Sequence, residues 1–589
     1  MNHRMRVLAN RMLLIAAMML CLAPMALADS SADKIRNCPD GDWCHYHRTV
    51  DKGWRHSPLS EINTENVKNL RPAWIFQPGE VRMGMHGTPV VINGEMYLST
   101  NPSTVWKLNG ATGERIWAHV PEMDEAVVSR SVFAHTRGLA IGDGRVYMGL
   151  VDGRVIALDE KDGSVIWDKQ LVNSKKDSAG FSGAGTFVNS DLLVIGQNAG
   201  EYPVEGRIFG LDPKTGDLKW TFYTTGRGDE KALATWGGDS WKYGGGGSWQ
   251  PGTVDYDNNQ IFMGTSNPNP DYDYCGADCR DPKADAIRGG DNLYTSSTIA
   301  LDLGTGKLNW YFQEAPSDPY DYDSAPGEYV IFEDNGRKLV LHPGKNGFNH
   351  VHELKTGKPV NVYPDMKSQN WTSGFNLETG EWENLLWPKA GEKTLVCPAI
   401  DGGHSWNAGS YSPQTKLFYR IANEWCMDLT IAPKEGGTKI TFGTEKRITE
   451  PFAQVYMAAE WVGQPPPGDT THGRLTARNP LTGEIAWEKR YDIIPHSALL
   501  TTGGGVLFIG TTDGFVEAIN AENGEVLWRF NNGSGHHGGI VSYEAGGKQY
   551  IGVVVGHGSY VGRALVDSYH KEKFVNMKES AAVVVFSLP

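Results

Sequence analysis

LDPKTGDLKW, residues Leu211–Trp220, decides the fold, because the same phrase returns along the chain. It reads LNGATGERIW at Leu108–Trp117, LDEKDGSVIW at Leu158–Trp167 and LDLGTGKLNW at Leu301–Trp310. RNPLTGEIAW at Arg478–Trp487 and INAENGEVLW at Ile519–Trp528 follow, with a degenerate ELKTGKPV at Glu353–Val360. Each full copy holds a strand end, a turn built from Asp, Asn or Pro, a Gly suited to positive φ, and a strand carrying Trp. Neighbouring copies stand about 40 to 53 residues apart where nothing intervenes, room for four short strands. That period belongs to β-propellers, whose sheets bury their faces on one another. The interval from Trp220 to Trp310 has room for an extra blade and a long loop, and a further blade is expected around Ser410–Asp428. The expectation is an all-β chain folded as one eight-bladed β-propeller over residues 29–589. The Trp residues of the phrase are structural in this reading, each packed between adjacent blades. Function is sought in the long polar insertions that break the repeat.

Composition agrees. The 589 residues include 71 Gly, 31 Pro, 19 Trp, 23 Tyr and 19 Phe, which suits short strands, tight turns and a large core. The formal net charge of −14 argues against nucleic acid as a partner. Arg4, Arg6 and Arg11 precede the apolar run Leu13–Leu22, and Ala26-Leu27-Ala28 reads as a cleavage site. Residues 1–28 are thus expected to be an export signal, and the mature chain to be periplasmic. No later stretch is long enough to suggest membrane insertion. Six cysteines remain after cleavage, and their short spacings favour the disulfides Cys38–Cys44 and Cys275–Cys279, leaving Cys397–Cys426. Zinc is the rival use, but no CxxC occurs; no CxxCH occurs either, so the chain carries no covalent haem.

The phrase LDxxTGxxxW, the blade period and the export signal together resemble the PQQ-dependent alcohol dehydrogenases of the methanol/ethanol dehydrogenase type. The resemblance runs from Trp54-Arg55-His56-Ser57-Pro58-Leu59 to the last blade. Motifs outside the repeat match in order: Thr136-Arg137-Gly138-Leu139-Ala140, Gly200-Glu201, Gly238-Asp239-Ser240-Trp241 and Gly247-Ser248-Trp249. Ser266-Asn267-Pro268, Tyr320-Asp321-Tyr322-Asp323 and Asn423-Glu424-Trp425-Cys426 complete the series.

Glu201, Asn267, Asp321 and Asp323 are oxygen donors in irregular segments far apart in sequence, a set that suits a hard cation. The resemblance implies that Glu201 and Asn267 hold the metal beside the quinone PQQ, with Asp321 as both ligand and general base. It likewise makes Asp323 the added carboxylate of the lanthanide-dependent branch, where calcium-dependent relatives have an uncharged residue. In a strand-like stretch Asp321 and Asp323 face the same side. A further anionic oxygen suits a trivalent ion, so a lanthanide is expected, with Ca²⁺ as the alternative. Trp249 follows the run Gly244–Gly247, which lets backbone approach a flat ligand, and by resemblance forms the floor under the quinone. By the same resemblance Arg137 pairs with a cofactor carboxylate. Lys345, in Pro343-Gly344-Lys345-Asn346-Gly347, contacts the reactive oxygens. The implied reaction takes a proton from an alcohol at Asp321 and passes hydride to the quinone, giving an aldehyde or ketone. Lacking haem, the chain needs a separate soluble cytochrome c as acceptor, and its acidic surface suits a basic one. A homodimer is compatible with this reading.

Several positions depart from the family pattern. Ser131-Val132-Phe133-Ala134-His135 lacks the adjacent cysteines that many relatives carry, so Val132 or Phe133 is expected to cover the second face of the quinone. His86 stands where relatives have a Glu contacting the cofactor, and Ser405, before Trp406, replaces an Asn. His86, Ser405 and Trp406 are accordingly counted with the cofactor pocket. The insertion Asp271–Gly290 is expected to form a stapled lip over the pocket mouth, hinting at an alcohol larger than methanol. His536, His537 and His557 either line the pocket or cap strands. The rival class is a non-catalytic envelope scaffold, which shares the Trp repeat but needs no acidic cluster.

Overall fold

The computed structural model describes residues 30–589 apart from 80, 131–133, 178, 274–278, 285, 287, 325–326, 432–458, 559–568 and 571–579. The expected signal segment, Val132, Phe133 and Cys275 lie outside the described residues. Every copy of the repeat closes its hairpin in one way. In the Leu211 copy the Gly216 amide donates to the Asp212 carbonyl at 2.8 Å, and the Asp212 carboxylate accepts from the Lys214 amide at 2.7 Å. Gly216 has φ +73°, and Gly113, Gly163, Gly306, Gly357, Gly483 and Gly524 share that left-handed backbone.

Among the described residues the strands form seven four-stranded sheets, one five-stranded sheet and two smaller ones. What joins the large sheets is the repeat itself. The indole Nε1 of Trp74, Trp117, Trp167, Trp220 and Trp487 donates into the turn of the next sheet. The acceptors are the carbonyls of Gly110, Glu160, Pro213, Leu303 and Ala521, at 2.9–3.2 Å. Tyr363 does the same through its hydroxyl to Pro480 at 3.0 Å. Each ring lies flat on the turn glycine it faces: a Cβ on Gly306 would stand 2.4 Å from the Trp220 ring, and one on Gly357 2.3 Å from Trp310. Trp528 meets Phe586 edge-on at 5.2 Å, which carries the contacts back to the sheet that begins the circuit.

Two expectations about the sheets are corrected. The interval between Trp220 and Trp310 holds one sheet, Thr253–Asp255, Gln260–Gly264, Ser297–Asp302 and Leu308–Gln313, with a long loop after Gly264 instead of an extra blade. The strand Leu417–Glu424 pairs with His472–Arg478, so it shares a sheet with the Arg478 copy, while Cys426–Ile431 turns off into a three-stranded sheet. The missing sheet comes from both ends of the chain. Arg71–Phe76 pairs antiparallel with Ala582–Ser587, beside Lys548–Val555 and Ile540–Ala545. A repeat search misses it because its sheet has no copy of the phrase.

Cys38–Cys44 and Cys397–Cys426 are disulfides, as expected, and Cys279 is also disulfide-bonded. No helix among the described residues is long and apolar enough to cross a membrane. The ring-on-glycine contact predicts a sharp contrast between two glycines of one turn. Gly306→Ala combines a left-handed φ with collision against Trp220 and lowers stability by about 2–4 kcal/mol. Gly304→Ala, whose Cβ meets nothing nearer than 3.6 Å, changes it little. Urea unfolding of both variants checks this; equal midpoints would remove the packing account.

Candidate functional site

The glycine run Gly244–Gly247 lies at the centre of the site, and it approaches protein backbone instead of leaving a cleft for a flat ligand. The Gly245 amide donates to Val204 at 2.8 Å and its carbonyl accepts from Gly206 at 2.7 Å. Gly246 donates to the Asn267 carbonyl at 3.0 Å, and the Gly247 carbonyl accepts from Ser266 at 2.6 Å. A Cβ on Gly247 would stand 2.2 Å from the Ala199 nitrogen, and one on Gly245 2.6 Å from the Gly200 carbonyl. The run therefore laces the segment Ala199–Gly206 to the segment Ser266–Asn269. Glu201 and Asn267, 66 positions apart in sequence, become neighbours in this way. Gly200 is needed as well, since a Cβ there would fall 2.3 Å from Asn267 Oδ1.

Asp321 and Asp323 reach the same place from the next sheet. Their segment is not a strand, as the sequence pattern suggests; Asp321 has φ +68°, a strained value for a residue with a side chain. Asp318 shapes the bend, its carboxylate accepting from the Tyr320 and Tyr322 amides at 3.0 and 2.7 Å. The two carboxylates still converge: Lys345 Nζ donates to Asp321 Oδ1 at 3.0 Å and to Asp323 Oδ2 at 3.4 Å. Asp323 Oδ1 accepts from the Asn267 amide at 2.7 Å. Asp271 joins them, its Oδ1 accepting from Asn267 Nδ2 at 2.8 Å.

Gathering these groups is electrostatically costly, and the acidities show it. Burial and then the charge of Asp323 push Glu201 up to about 7. Burial drives Asp321 well above the carboxylate range; Lys345 opposes this, and Asp323, Asp271 and Glu201 add to it. Burial, Glu201 and Asp323 raise Asp271 likewise. Burial works against the charge of Lys345, yet Asp321 and Asp323 hold its pKa above the ordinary value. Asp401, pushed up to about 6 by burial, is a further carboxylate that Lys345 stabilises.

The aromatic side of the site adjoins the acidic side through Arg137. Its guanidinium lies 4.2 Å over the Trp249 ring and 5.0 Å from that of Trp406. Burial brings its pKa down to about 10 against the opposing pull of Tyr46, Glu201 and Asp323. A flat ligand stacked on that same face of Trp249 would displace the guanidinium toward the ring edge, where it could meet a carboxylate. His86 sits against Trp406 at 5.6 Å and His135 at 4.8 Å, with Nε2 on the Met83 carbonyl; burial and then Arg137 lower it to about 3, so it is neutral.

Arg137, Trp249, Trp406 and His86 are thus brought together, and Ser405 precedes Trp406 in the chain. The Ser405 carbonyl accepts from Arg420 at 2.5 Å. His536 is a strand cap, its Nδ1 on the Thr511 carbonyl at 2.9 Å, whereas His537 and His557 face each other with ring centres 5.5 Å apart. The described part of the insertion packs on the turn at Gly237, whose amide donates to the Arg288 carbonyl at 2.7 Å. A larger surface hollow of about 550 Å³, lined by Trp54, Tyr256 and Lys338 among others, contains none of the candidate residues.

Sequence reasoning missed Asp271, Asp318 and Arg288. All three are buried, and Arg288, fully buried, ties the loops together: its Nε donates to the Pro270 carbonyl at 3.1 Å and its Nη2 to the Asp318 carbonyl. A usable signal was present in Asp271, four residues after Asn267 in an acidic stretch.

The donor chemistry fits a hard cation. Asn267 Oδ1 and Asp271 Oδ2 are buried without a hydrogen-bond donor, and all the groups present oxygen. Among the described residues no three His, Cys, Asp or Glu side chains stand in coordinating geometry as arranged here. A bound cation would share the carboxylates of Asp321 and Asp323 with Lys345.

Fold and site define a β-propeller-type protein with oxygen donors gathered beside an aromatic platform. The family described as "PQQ: Glucose/ethanol/alcohol dehydrogenase, beta-propeller domain" matches residues 43–366 and 364–551, and the chain belongs to this family of PQQ-dependent alcohol dehydrogenases. It is 31% identical to the quinoprotein alcohol dehydrogenase PedH of Pseudomonas putida over 87% of this chain and 85% of that one. It is 33% identical to a quinohemoprotein alcohol dehydrogenase of Comamonas testosteroni over 92% of this chain and 77% of the relative. Among solved structures, a europium-containing methanol dehydrogenase superposes with a TM-score of 0.84 at 26% identity, covering 95% of this chain and all of the other.

The raised pKa of Glu201 carries a pH prediction. Below about 7 it holds a proton that a cation must displace. Uptake of Tb³⁺ therefore weakens as pH falls from about 8 to 6 and releases protons. Calorimetry in two buffers of unlike ionisation enthalpy measures the release, and an affinity independent of pH contradicts the assignment.

Proposed function

We propose that the chain is a periplasmic quinoprotein dehydrogenase that oxidises an alcohol to an aldehyde or ketone and passes electrons to a separate soluble cytochrome c. In this reading residues 29–589 form one propeller domain, and the eight larger sheets are its blades. The observation that carries it is the convergence of Glu201, Asn267, Asp321 and Asp323 next to Trp249 and Arg137. Those four residues would hold the metal ion, and Trp249, Arg137, Lys345, His86 and Trp406 would surround PQQ. When bound, PQQ supplies the hydride acceptor and the metal a Lewis acid.

The protein's own groups then have distinct tasks. Asp321, held by its strained backbone, takes the alcohol proton at a carboxylate oxygen, which requires it to be ionised. Lys345, already 3.0 Å away, favours that ionised form and shares its charge with Asp323. Trp249 presents a ring face for stacking, and Arg137 is placed to pair with an anionic edge. The neutral imidazole of His86 packs beside Trp406, with His135 behind it, and makes that wall hydrophobic in bulk yet capable of hydrogen bonding.

Asp323 favours a trivalent ion, because another anionic oxygen offsets a third charge. The likeness to a europium-containing methanol dehydrogenase supports the same choice. Protein loaded with PQQ is expected to gain dye-linked alcohol oxidation with La³⁺ or Ce³⁺ and little with Ca²⁺, and Asp323→Ala to abolish the gain. Asp321→Asn is expected to lower turnover roughly 10²- to 10⁴-fold while PQQ stays bound. Equal activation by Ca²⁺ rejects the lanthanide, and full activity in Asp321→Asn rejects the base.

A further inference from the structure

Asp271 stands closest to Asn267 of all the acidic groups outside the proposed ligand set. Its Oδ1 accepts from Asn267 Nδ2 at 2.8 Å, which fixes the amide so that Asn267 Oδ1 points the other way, against Gly200. Both Asn267 Oδ1 and Asp271 Oδ2 are fully buried and have no donor. Two orphan oxygens on one hydrogen-bonded pair call for a cation.

The pair is firmly built. Asn267 is held by backbone bonds to Gly246 and, through its amide, to Asp323. The stretch around Asp271 is held by Arg288, whose Nε donates to the Pro270 carbonyl at 3.1 Å and whose amide donates to Asp273 Oδ2 at 2.9 Å. Arg288 also donates through Nη1 to Asn292 at 2.7 Å and through Nη2 to the Asp318 carbonyl. Asp271 is thereby fixed relative to the bend that carries Asp321 and Asp323. Its burial leaves no solvent to solvate Oδ2.

We propose that Asp271 is a positioning residue and an additional anionic group of the metal site, orienting the Asn267 carbonyl oxygen toward the ion and biasing the site toward trivalent over divalent cations. The inference rests on the metal reading given above. It follows from Coulomb's law, since the negative charge of ionised Asp271 attracts an ion in proportion to that ion's charge, and does so far more strongly than the dipole of a neutral amide in the same place.

The test uses purified protein loaded with PQQ and dialysed to equilibrium against chelator-buffered Tb³⁺ or Ca²⁺, with bound metal counted by mass spectrometry. Asp271→Asn keeps the shape and removes the charge. Because the effect scales with ion charge, it is expected to weaken Tb³⁺ about 100-fold and Ca²⁺ about 20-fold, a ratio of three to two in the logarithms. Asp271→Glu restores the charge and is expected to keep the trivalent preference, which tests the idea even if the Asn variant fails to fold. An equal loss for both ions, no loss, or a Glu variant without the preference overturns the role of Asp271 and leaves the metal site standing. Wild-type protein that takes up neither ion overturns the metal reading and this inference with it.

Discussion

A flat ring laid on a bare glycine holds this structure together. The turn glycine of each repeat lacks a Cβ and has left-handed backbone, so a ring from the preceding sheet, Tyr363 at Gly483 and an indole elsewhere, can lie on it and donate to a carbonyl of the same turn. Burying the ring satisfies the hydrophobic effect, and the hydrogen bond satisfies its one polar atom, so the contact has no unmet group. Trp310 departs from this, lying on Gly357 with its Nε1 unpaired. Since the staple is local to each pair of sheets, it leaves their other loops free to vary. Those loops carry every candidate residue.

The site depends on a different constraint. Like charges in a buried place repel strongly, and Glu201, Asp271 and Asp323 each raise the pKa of another of these carboxylates, Asp321 among those raised. Such a group is stable only if the surrounding structure fixes it, as the glycine run, Arg288 and Asp318 do. Lys345 offsets part of the repulsion by contacting two of the four carboxylates. The remaining oxygens of Asn267 and Asp271 lie buried and unmet. Structural stability alone gives no reason to gather them; binding a hard ion does.

The repeat made the sheets legible from sequence, because its Gly and Trp obey rules of local geometry that hold wherever the phrase occurs. The sheet formed from both chain ends was not legible, since pairing Arg71–Phe76 with Ala582–Ser587 spans the whole chain and leaves no local mark. Glu201, Asn267, Asp321 and Asp323 were found through motifs, and the structure does bring their segments together. How it does so was not visible: Asp321 and Asp323 share a side through a strained bend, not a strand, and Gly244–Gly247 serves the ligand loops more than the floor of the pocket. Asp271 and Arg288 were missed because their importance comes from contacts across loops.

The acidic and aromatic halves of the pocket need each other for a physical reason. In the proposed reading a highly charged ion would be attracted to a ring ligand's oxygens as well as to carboxylates, and stacking on Trp249 would fix where those oxygens fall. Arg137 touches both halves: its guanidinium lies over Trp249 while Glu201 and Asp323 support its charge. Moving it to the ring edge would give up one cation–π contact and gain a charge-assisted hydrogen bond to an anion. In the proposed reading Arg137 would pair with a planar anion whose negative groups reach the ring edge.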